Sequence, residues 1–422
     1  MDISKTVDSM RTGFKKQFWV ANILELFERF AFYGSKAILT VYLATKVGLG
    51  AQAAGTLAGL YSGLIFSLPV VAGTLVDKYG FRKTLMACFA FFCVGYFLIG
   101  MAGLEFSQEI VGVIGKTTYV TIVLLLTAAG GSLIKPCIVG TIAKTSKPDV
   151  KSLGYSIYYT MVNIGGAVGP ILALQVRENL GIEFVLIMSS ITSFLLLLGT
   201  IIFFKEPENE GEEIERRTLS KVFIDMLLVF RNLKFISFLV IFSGFWIMFW
   251  QIFYSLPFYI IEVLKFPQFE IIESVGAWTI IFVTIPIAAL VKKWKPLTAI
   301  LVGFTIASFS WLLMASFQNV YIAIAAVALF ALGEATQAPR FYEYVSTLAP
   351  KNQVGTFMGF AFLPVAIGAF TAGPLAGFLV ENFLHKTFQP AMMWLIISAI
   401  GFVCIILMFL YNLLFIRVEN AR

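Results

Sequence analysis

Residues 18–46 read FWVANILELFERFAFYGSKAILTVYLATK, an apolar run with four charged side chains in its interior. It is long enough to cross a bilayer, since a helix needs about 20 residues for that. Glu25, Glu28, Arg29 and Lys36 fall on one face of such a helix. Ionised groups facing lipid are costly, so this face is predicted to line a path for ions, protons or substrate. The structural alternative is a helix-locking pair of Glu25 with Arg29, although two acids and two bases exceed what a lock needs.

The composition indicates a membrane protein. Hydrophobic residues make up 59% of the chain and charged residues 13%, whereas soluble domains carry about 25% charged residues. No cleavable signal peptide is expected, because the first 17 residues are polar and basic. The four Cys lack metal spacing, and the single His385 is predicted to be a solvated surface residue. No nucleophile–base pair or phosphate loop is visible, so we expect no enzyme, no metal and no cofactor.

The hydropathy pattern predicts twelve membrane spans. Their approximate bounds are 18–46, 51–76, 84–104, 118–143, 153–177, 183–204, 235–263, 270–291, 297–317, 319–348, 354–383 and 388–416.

Lys and Arg predict the orientation of these spans. With the N-terminus inside, the inner segments hold 22 of these residues and the outer segments hold 5. Both termini are therefore predicted to be cytoplasmic, in a plasma or inner membrane. The basic excess is explained by topology and needs no nucleic-acid partner.

The two halves of the chain repeat each other. Pro136 and Pro339 are 203 residues apart, and so are Gly165 and Gly368. We predict an all-α membrane protein with two pseudo-symmetric six-helix bundles, residues 1–204 and 235–422, joined by a cytoplasmic linker at 205–234. Such a duplication, with a substrate site near the midplane between the halves, is typical of secondary transporters that work by alternating access.

The loop after span two reads GTLVDKYGFRK from residue 73 to residue 83. It resembles the loop signature of the major facilitator superfamily. An acid at a helix end, turn glycines and two cations suit a charge latch between moving helices. The predicted gating residues are Gly73, Asp77, Gly80, Arg82 and Lys83.

Further intramembrane charges match this arrangement in depth. Lys135 in span four lies about 12 Å from the cytoplasmic end, the depth of Glu25 and Arg29, and Glu334 in span ten lies near the midplane. The first half thus contributes cations and the second an acid, which suits a zwitterion such as an amino acid or short peptide.

Motifs along nearly the whole chain resemble the proton-dependent oligopeptide transporter family within this superfamily. The clearest are Glu25-x-x-Glu28-Arg29-Phe-x-x-Tyr33-Gly34, Gly131-x-x-x-Lys135-Pro136, Asn163-Ile164-Gly165 and Gly333-Glu334. The resemblance implies a proton-coupling network of Glu25, Glu28, Arg29 and Lys135. It also implies that Asn163 and Glu334 hold the peptide amino end.

The predicted substrate-binding residues combine these charges with nearby aromatic and polar side chains. They are Arg29, Tyr33, Lys36, Tyr61, Lys135, Asn163, Trp246, Trp250, Gln251 and Glu334. Departures from the family pattern include Lys36, which stands where an arginine is usual, and Trp250, which stands where an acid is expected.

Three functional classes follow. The first is a symporter that couples protons to di- or tripeptides or a related zwitterionic or anionic solute. The alternatives are a major facilitator exporter or facilitator of a drug-like, lipidic or organic-anion solute, and a non-transporting scaffold or receptor. The expected partners are a small-molecule substrate, protons and the lipid bilayer, with a monomer sufficient for activity.

Overall fold

The structure is a computed structural model. It describes residues 13–207, 229–350 and 354–417, together with Ile224 and Leu227. Most of the predicted linker at 205–234 lies outside these residues.

Long α-helices account for nearly all of the described chain, and we number them in chain order. They are α1 (Lys16–Val41), α2 (Gly50–Ser67 and Pro69–Tyr79), α3 (Phe81–Met101), α4 (Lys116–Thr145), α5 (Pro148–Asn179), α6 (Ile182–Phe203), α7 (Leu233–Glu262), α8 (Phe269–Val291), α9 (Pro296–Ser316), α10 (Val320–Leu348), α11 (Phe357–Lys386) and α12 (Pro390–Phe415).

The lengths of these helices confirm the predicted fold. Within the described residues, ten helices are long and apolar enough to cross a membrane, and α2 is an eleventh whose two parts meet at 48°. The remaining helix, α1, has 26 residues and carries the four interior charges. The twelve-helix prediction is therefore confirmed, with the observed ends close to the expected ones.

Glycine, proline and asparagine set several helix ends. Gly80 has φ of 85°, a non-helical conformation that separates α2 from α3. This backbone region favours a residue without Cβ. Pro296 and Pro390 stand at the first positions of α9 and α12, where a missing N–H costs nothing. Asn232 caps α7 by accepting a hydrogen bond from the Phe235 amide at 3.0 Å.

The chain forms two compact units. One comprises Met1–Lys36 and Leu68–Val222, and the other comprises Ala37–Ser67 and Phe223–Arg422. We call them the first unit and the second unit. The domain boundaries at 204 and 235 stay a prediction.

The internal repeat has a structural counterpart in each unit. In the first unit, Gly165 of α5 packs against the Arg29 backbone and Cβ on α1; in the second, Gly368 of α11 packs against Trp246 of α7. These glycines are 203 residues apart. A side chain at either position would collide with the neighbouring helix, so the repeated glycines let corresponding helix pairs approach closely.

We expect Gly165→Ala to destabilise the protein by about 1–3 kcal/mol, because the added methyl overpacks the α1–α5 contact. Thermal unfolding of the detergent-purified protein measures this. Gly112→Ala is the matched control, since a Cβ built there meets no atom within 4 Å. Equal stability of the two variants would contradict the close approach of α5 to α1.

Candidate functional site

Three ionisable side chains meet inside α1 of the first unit. Glu25, Glu28 and Arg29 are only 1%, 2% and 4% exposed. The Arg29 Nε lies 3.4 Å from Glu25 Oε1 and also donates to Glu28 Oε2. One guanidinium therefore contacts two carboxylates.

Three of the four oxygens of these carboxylates accept no hydrogen bond from the described residues. Both oxygens of Glu25 and the Oε1 of Glu28 are buried, and within the described part of the chain none of the three accepts a hydrogen bond. A buried carboxylate without donors is costly in its charged form. A proton could therefore bind to either acid at an oxygen that accepts no hydrogen bond.

An aromatic ring lies against the cations of the same face. The Phe32 ring centroid is 4.7 Å from the Arg29 guanidinium carbon and 5.7 Å from the Lys36 Nζ. The Tyr33 ring lies 6.0 Å from Arg29. Lys36 is 3% exposed, so cation–π attraction supports both cations where water does not reach them.

Lys135 joins this cluster from α4. It lies within electrostatic range of Arg29, Glu25 and Glu28, as the matched depths predict, and its side chain is half-buried. The cluster then holds two acids and two cations. We call Glu25, Glu28, Arg29 and Lys135 the charge cluster.

Asn163 of α5 is the remaining predicted site residue of the first unit. It is half-buried, and its Nδ2 donates to the Tyr159 carbonyl at 2.8 Å. The contact ties its amide nitrogen to the helix backbone. Its predicted role toward a substrate amino group stays a prediction.

In the second unit, Trp250 and Gln251 of α7 are packed against α11. They are 2% and 0% exposed. The Trp250 Nε1 donates to the Val365 carbonyl at 3.1 Å, and the Gln251 Nε2 donates to the Ala372 carbonyl at 3.3 Å. The Gln251 Oε1 accepts from the Ser255 hydroxyl at 2.5 Å. These contacts join two helices, and the predicted contact of both residues with substrate stays a prediction.

The other predicted residues of the second unit differ in exposure. Tyr61 of α2 is 3% exposed, whereas Trp246 and Glu334 are half-buried. Among the described residues, no cation forms an ion pair with Glu334. Glu343, one of its neighbours on α10, pairs with Arg340. Glu334 is therefore an acid in a membrane helix whose countercharge is not a described side chain.

The predicted gating loop is held by an acid that follows α6. The Glu206 carboxylate accepts from the Phe81 amide at 2.7 Å and from the Arg82 amide at 2.8 Å, at the start of α3. The Arg82 guanidinium donates to the Ile201 carbonyl of α6 at 2.6 Å. Asp77 and Lys83 are exposed, and a Cβ on Gly73 would meet nothing within 4 Å. The loop is thus attached to α6 through Arg82 and Glu206.

Glu206 was missed by the sequence analysis, which treated the charges after span six as a solvated linker. The available signal was an acid at the end of α6 and a Gly80 turn that leaves the first amides of α3 without helical acceptors. A carboxylate is the favoured acceptor at such a helix start.

Among the described residues, twelve long helices and a buried, balanced charge cluster fit a multi-pass membrane protein. The family model described as Major Facilitator Superfamily matches residues 21–372, with a second match at 274–419. The chain belongs to the major facilitator superfamily. The predictions of this fold and of a transporter rather than an enzyme are confirmed.

Curated relatives carry two kinds of name. The dipeptide and tripeptide permease B of Photorhabdus asymbiotica is 26% identical over 51% of this chain and 42% of its own length. The chain thus matches less than half the length of this permease. The multidrug resistance protein MdtH of Blochmanniella floridana is 21% identical over 91% of this chain and 92% of its own length.

Solved structures share the fold over nearly the whole chain. A POT family transporter in complex with a thioalcohol-conjugated peptide has a TM-score of 0.76 at 15% identity, covering 94% of this chain and 96% of that one. A POT family transporter in complex with 5-aminolevulinic acid has a TM-score of 0.74 at 15% identity, with the same coverage.

We expect Glu206→Ala to weaken the start of α3 by about 1 kcal/mol, because two helix-start amides lose their acceptor. Protection of the first amides of α3 against hydrogen exchange measures this. Lys205→Ala, which changes the neighbouring exposed residue, is the control. Unchanged protection in Glu206→Ala would show that the carboxylate does not cap α3.

Proposed function

We propose that the chain is a secondary active transporter that couples protons to the symport of di- or tripeptides or a related zwitterionic solute. One observation carries the proposal: two buried carboxylates share one guanidinium, and three of their four oxygens lack hydrogen-bond donors in the described part of the chain. An intramembrane cluster of this kind is typical of proton and substrate paths.

Charge balance links the proton to the substrate. With both acids ionised, the charge cluster carries two negative and two positive charges. Protonating Glu25 or Glu28 leaves one positive charge in excess, and that charge attracts a substrate carboxylate. Binding the carboxylate restores neutrality, so the proton and the anionic group favour each other's binding.

Glu334 supports a substrate with an amino group. Its carboxylate has no ion-pair partner among the described side chains, and an ionised acid within a membrane helix needs a countercharge. A substrate ammonium supplies it. The names of the similar proteins support this class, since peptides and 5-aminolevulinic acid each carry an amino group and a carboxylate.

The proposed orientation follows the positive-inside rule, with both termini cytoplasmic in a plasma or inner membrane. The proposed transport cycle is alternating access, with one chain sufficient for activity. The gating loop then lies at the cytoplasmic ends of α2 and α3.

We expect Glu25→Gln and Glu28→Gln each to abolish uphill accumulation of a labelled dipeptide under an imposed proton gradient, because an amide cannot carry the coupled proton. Counterflow exchange, which needs no gradient, is the companion assay that reports intact binding and rocking. Glu343→Gln is the matched control, since Glu343 pairs locally with Arg340 and is half exposed. Undiminished uphill accumulation in both cluster variants would refute the proposal.

Export of a non-peptide solute is the second candidate function. The near full-length match to the multidrug resistance protein MdtH favours it. Two proteoliposome assays distinguish export from symport. One measures the extrusion of a drug-like cation loaded inside, and the other measures the uptake of an external dipeptide. Dipeptide accumulation supports symport, and drug extrusion without dipeptide accumulation supports export.

We expect Glu334→Gln to weaken binding of a dipeptide at least tenfold and binding of its N-acetylated form much less, because only the free dipeptide carries an ammonium. Isothermal titration of purified protein gives both affinities. Equal losses for the two ligands would mean that Glu334 does not bind the amino group.

A further inference from the structure

The last segment of α7 is separated from the rest of that helix by a break. Pro257 has no amide hydrogen, so it cannot donate to the Phe253 carbonyl as a helical residue does. The Thr40 hydroxyl donates to that carbonyl instead, at 3.1 Å, within the second unit. The helix resumes over Leu256–Glu262. We call this segment the α7 tip.

The buried α7 tip makes an aromatic contact and an ionisable contact with other helices of the second unit, besides its packing against α8. Tyr259 packs edge-on against Trp394 of α12, with ring centroids 5.1 Å apart. Glu262, at the end of the tip, reaches His385 at the end of α11. The first contact is apolar and independent of pH, whereas the second has two ionisable partners.

His385 lies between two carboxylates. Its Nε2 is 3.2 Å from Glu262 Oε2, and its Nδ1 is 3.5 Å from Glu381 Oε2. The Lys386 Nζ lies 3.4 Å from the other Glu381 oxygen. Both nitrogens of the only histidine in the chain therefore face an acid.

This geometry suits an imidazolium and disfavours a neutral ring. A neutral imidazole carries one N–H, so its second nitrogen would present a lone pair to a carboxylate. The protonated ring donates from both nitrogens and satisfies both acids. Histidine is the side chain that ordinarily changes charge between pH 5 and 8.

The charged groups that contact the ring or its acids in the described part of the chain belong to two helices. Glu381 and Lys386 belong to α11, and Glu262 belongs to α7. The segments Gly50–Ser67 of α2 and Pro390–Tyr411 of α12, which pack against this end of α11, contain no charged residue. Helix α8, which packs against the α7 tip, carries the buried acids Glu270 and Glu273.

We propose that His385, Glu262 and Glu381 form a second proton-binding site, separate from the charge cluster, which latches the α7 tip to the end of α11 when a proton is bound. Loss of the proton removes this contact and loosens the end of the tip, while the Tyr259–Trp394 contact remains. In the proposed orientation this end faces outside, so the latch closes when the outside is acidic. That consequence rests on the proposed function, whereas the latch itself is a property of the second unit.

Hydrogen exchange of the α7 tip tests the latch without any transport assay. Protection factors for amides 258–264 are compared at pH 5.5 and pH 8 in detergent-purified protein. We expect His385→Gln to lower protection about threefold at pH 5.5, the size that a partly exposed ion pair supports, and to leave it unchanged at pH 8. Glu262→Gln should give the same loss, and the double variant no more than either single one.

Lys386→Gln is the matched control, because it removes a neighbouring charge and leaves the imidazole and Glu262 in place. Equal protection of wild type and His385→Gln at pH 5.5 overturns the latch. So does a loss of equal size at both pH values, which would indicate a packing contact, or an equal loss in Lys386→Gln. Since no substrate is involved, failure here leaves the proposed transport function untouched, and failure of dipeptide uptake leaves the latch untouched.

Discussion

The structure of the first unit depends on one guanidinium that serves two buried carboxylates. An ion in a membrane interior persists only with partners, and Arg29 meets Glu25 and Glu28 from within a single helix. Glycines let α5 approach this part of α1 closely. Gly165 lies against the Arg29 backbone, and a Cβ built on Gly34 would stand 3.0 Å from the Gly169 carbonyl. The backbone of α5 therefore covers this side of α1, and the charges face the remaining polar neighbours rather than lipid.

The two units share a fold and differ in chemistry at the same contact. Gly165 packs against a charged residue of α1, whereas its counterpart Gly368 packs against Trp246 of α7. On α7 the side-chain nitrogens of Trp250 and Gln251 donate to carbonyls of α11, so they stabilise packing. Glu334 on α10 is then the half-buried acid of the second unit that lacks a cation among the described side chains. A duplicated fold has thus kept its helix contacts while the charged groups diverged.

Much of the fold and part of the site could be predicted because their signals are local or repeated. The charged face of α1 follows from helical spacing, and the duplication follows from glycines and prolines at constant offsets. Glu206 and His385 could not be found in this way. Their partners lie 125 and 123 residues away, and only the meeting of helix ends brings them together. The hydrogen bond from the Trp250 indole N–H to the Val365 carbonyl also joins residues far apart in the chain, and its predicted contact with substrate stays a prediction.

The different cations of the charge cluster suit different tasks. Arg29 is always charged, presents a rigid fork of donors, and is confined by Gly165 and the Phe32 ring. It therefore fixes the positions of both acids. Lys135 is half-buried, comes from a different helix, and carries a compact charge on a flexible stem. In the proposed coupling, a proton that neutralises one acid would free Lys135 to attract a substrate carboxylate, whereas Arg29 would keep its contacts with the acids. The lysine would then be the mobile partner of the coupling, and the arginine would hold the acids in position.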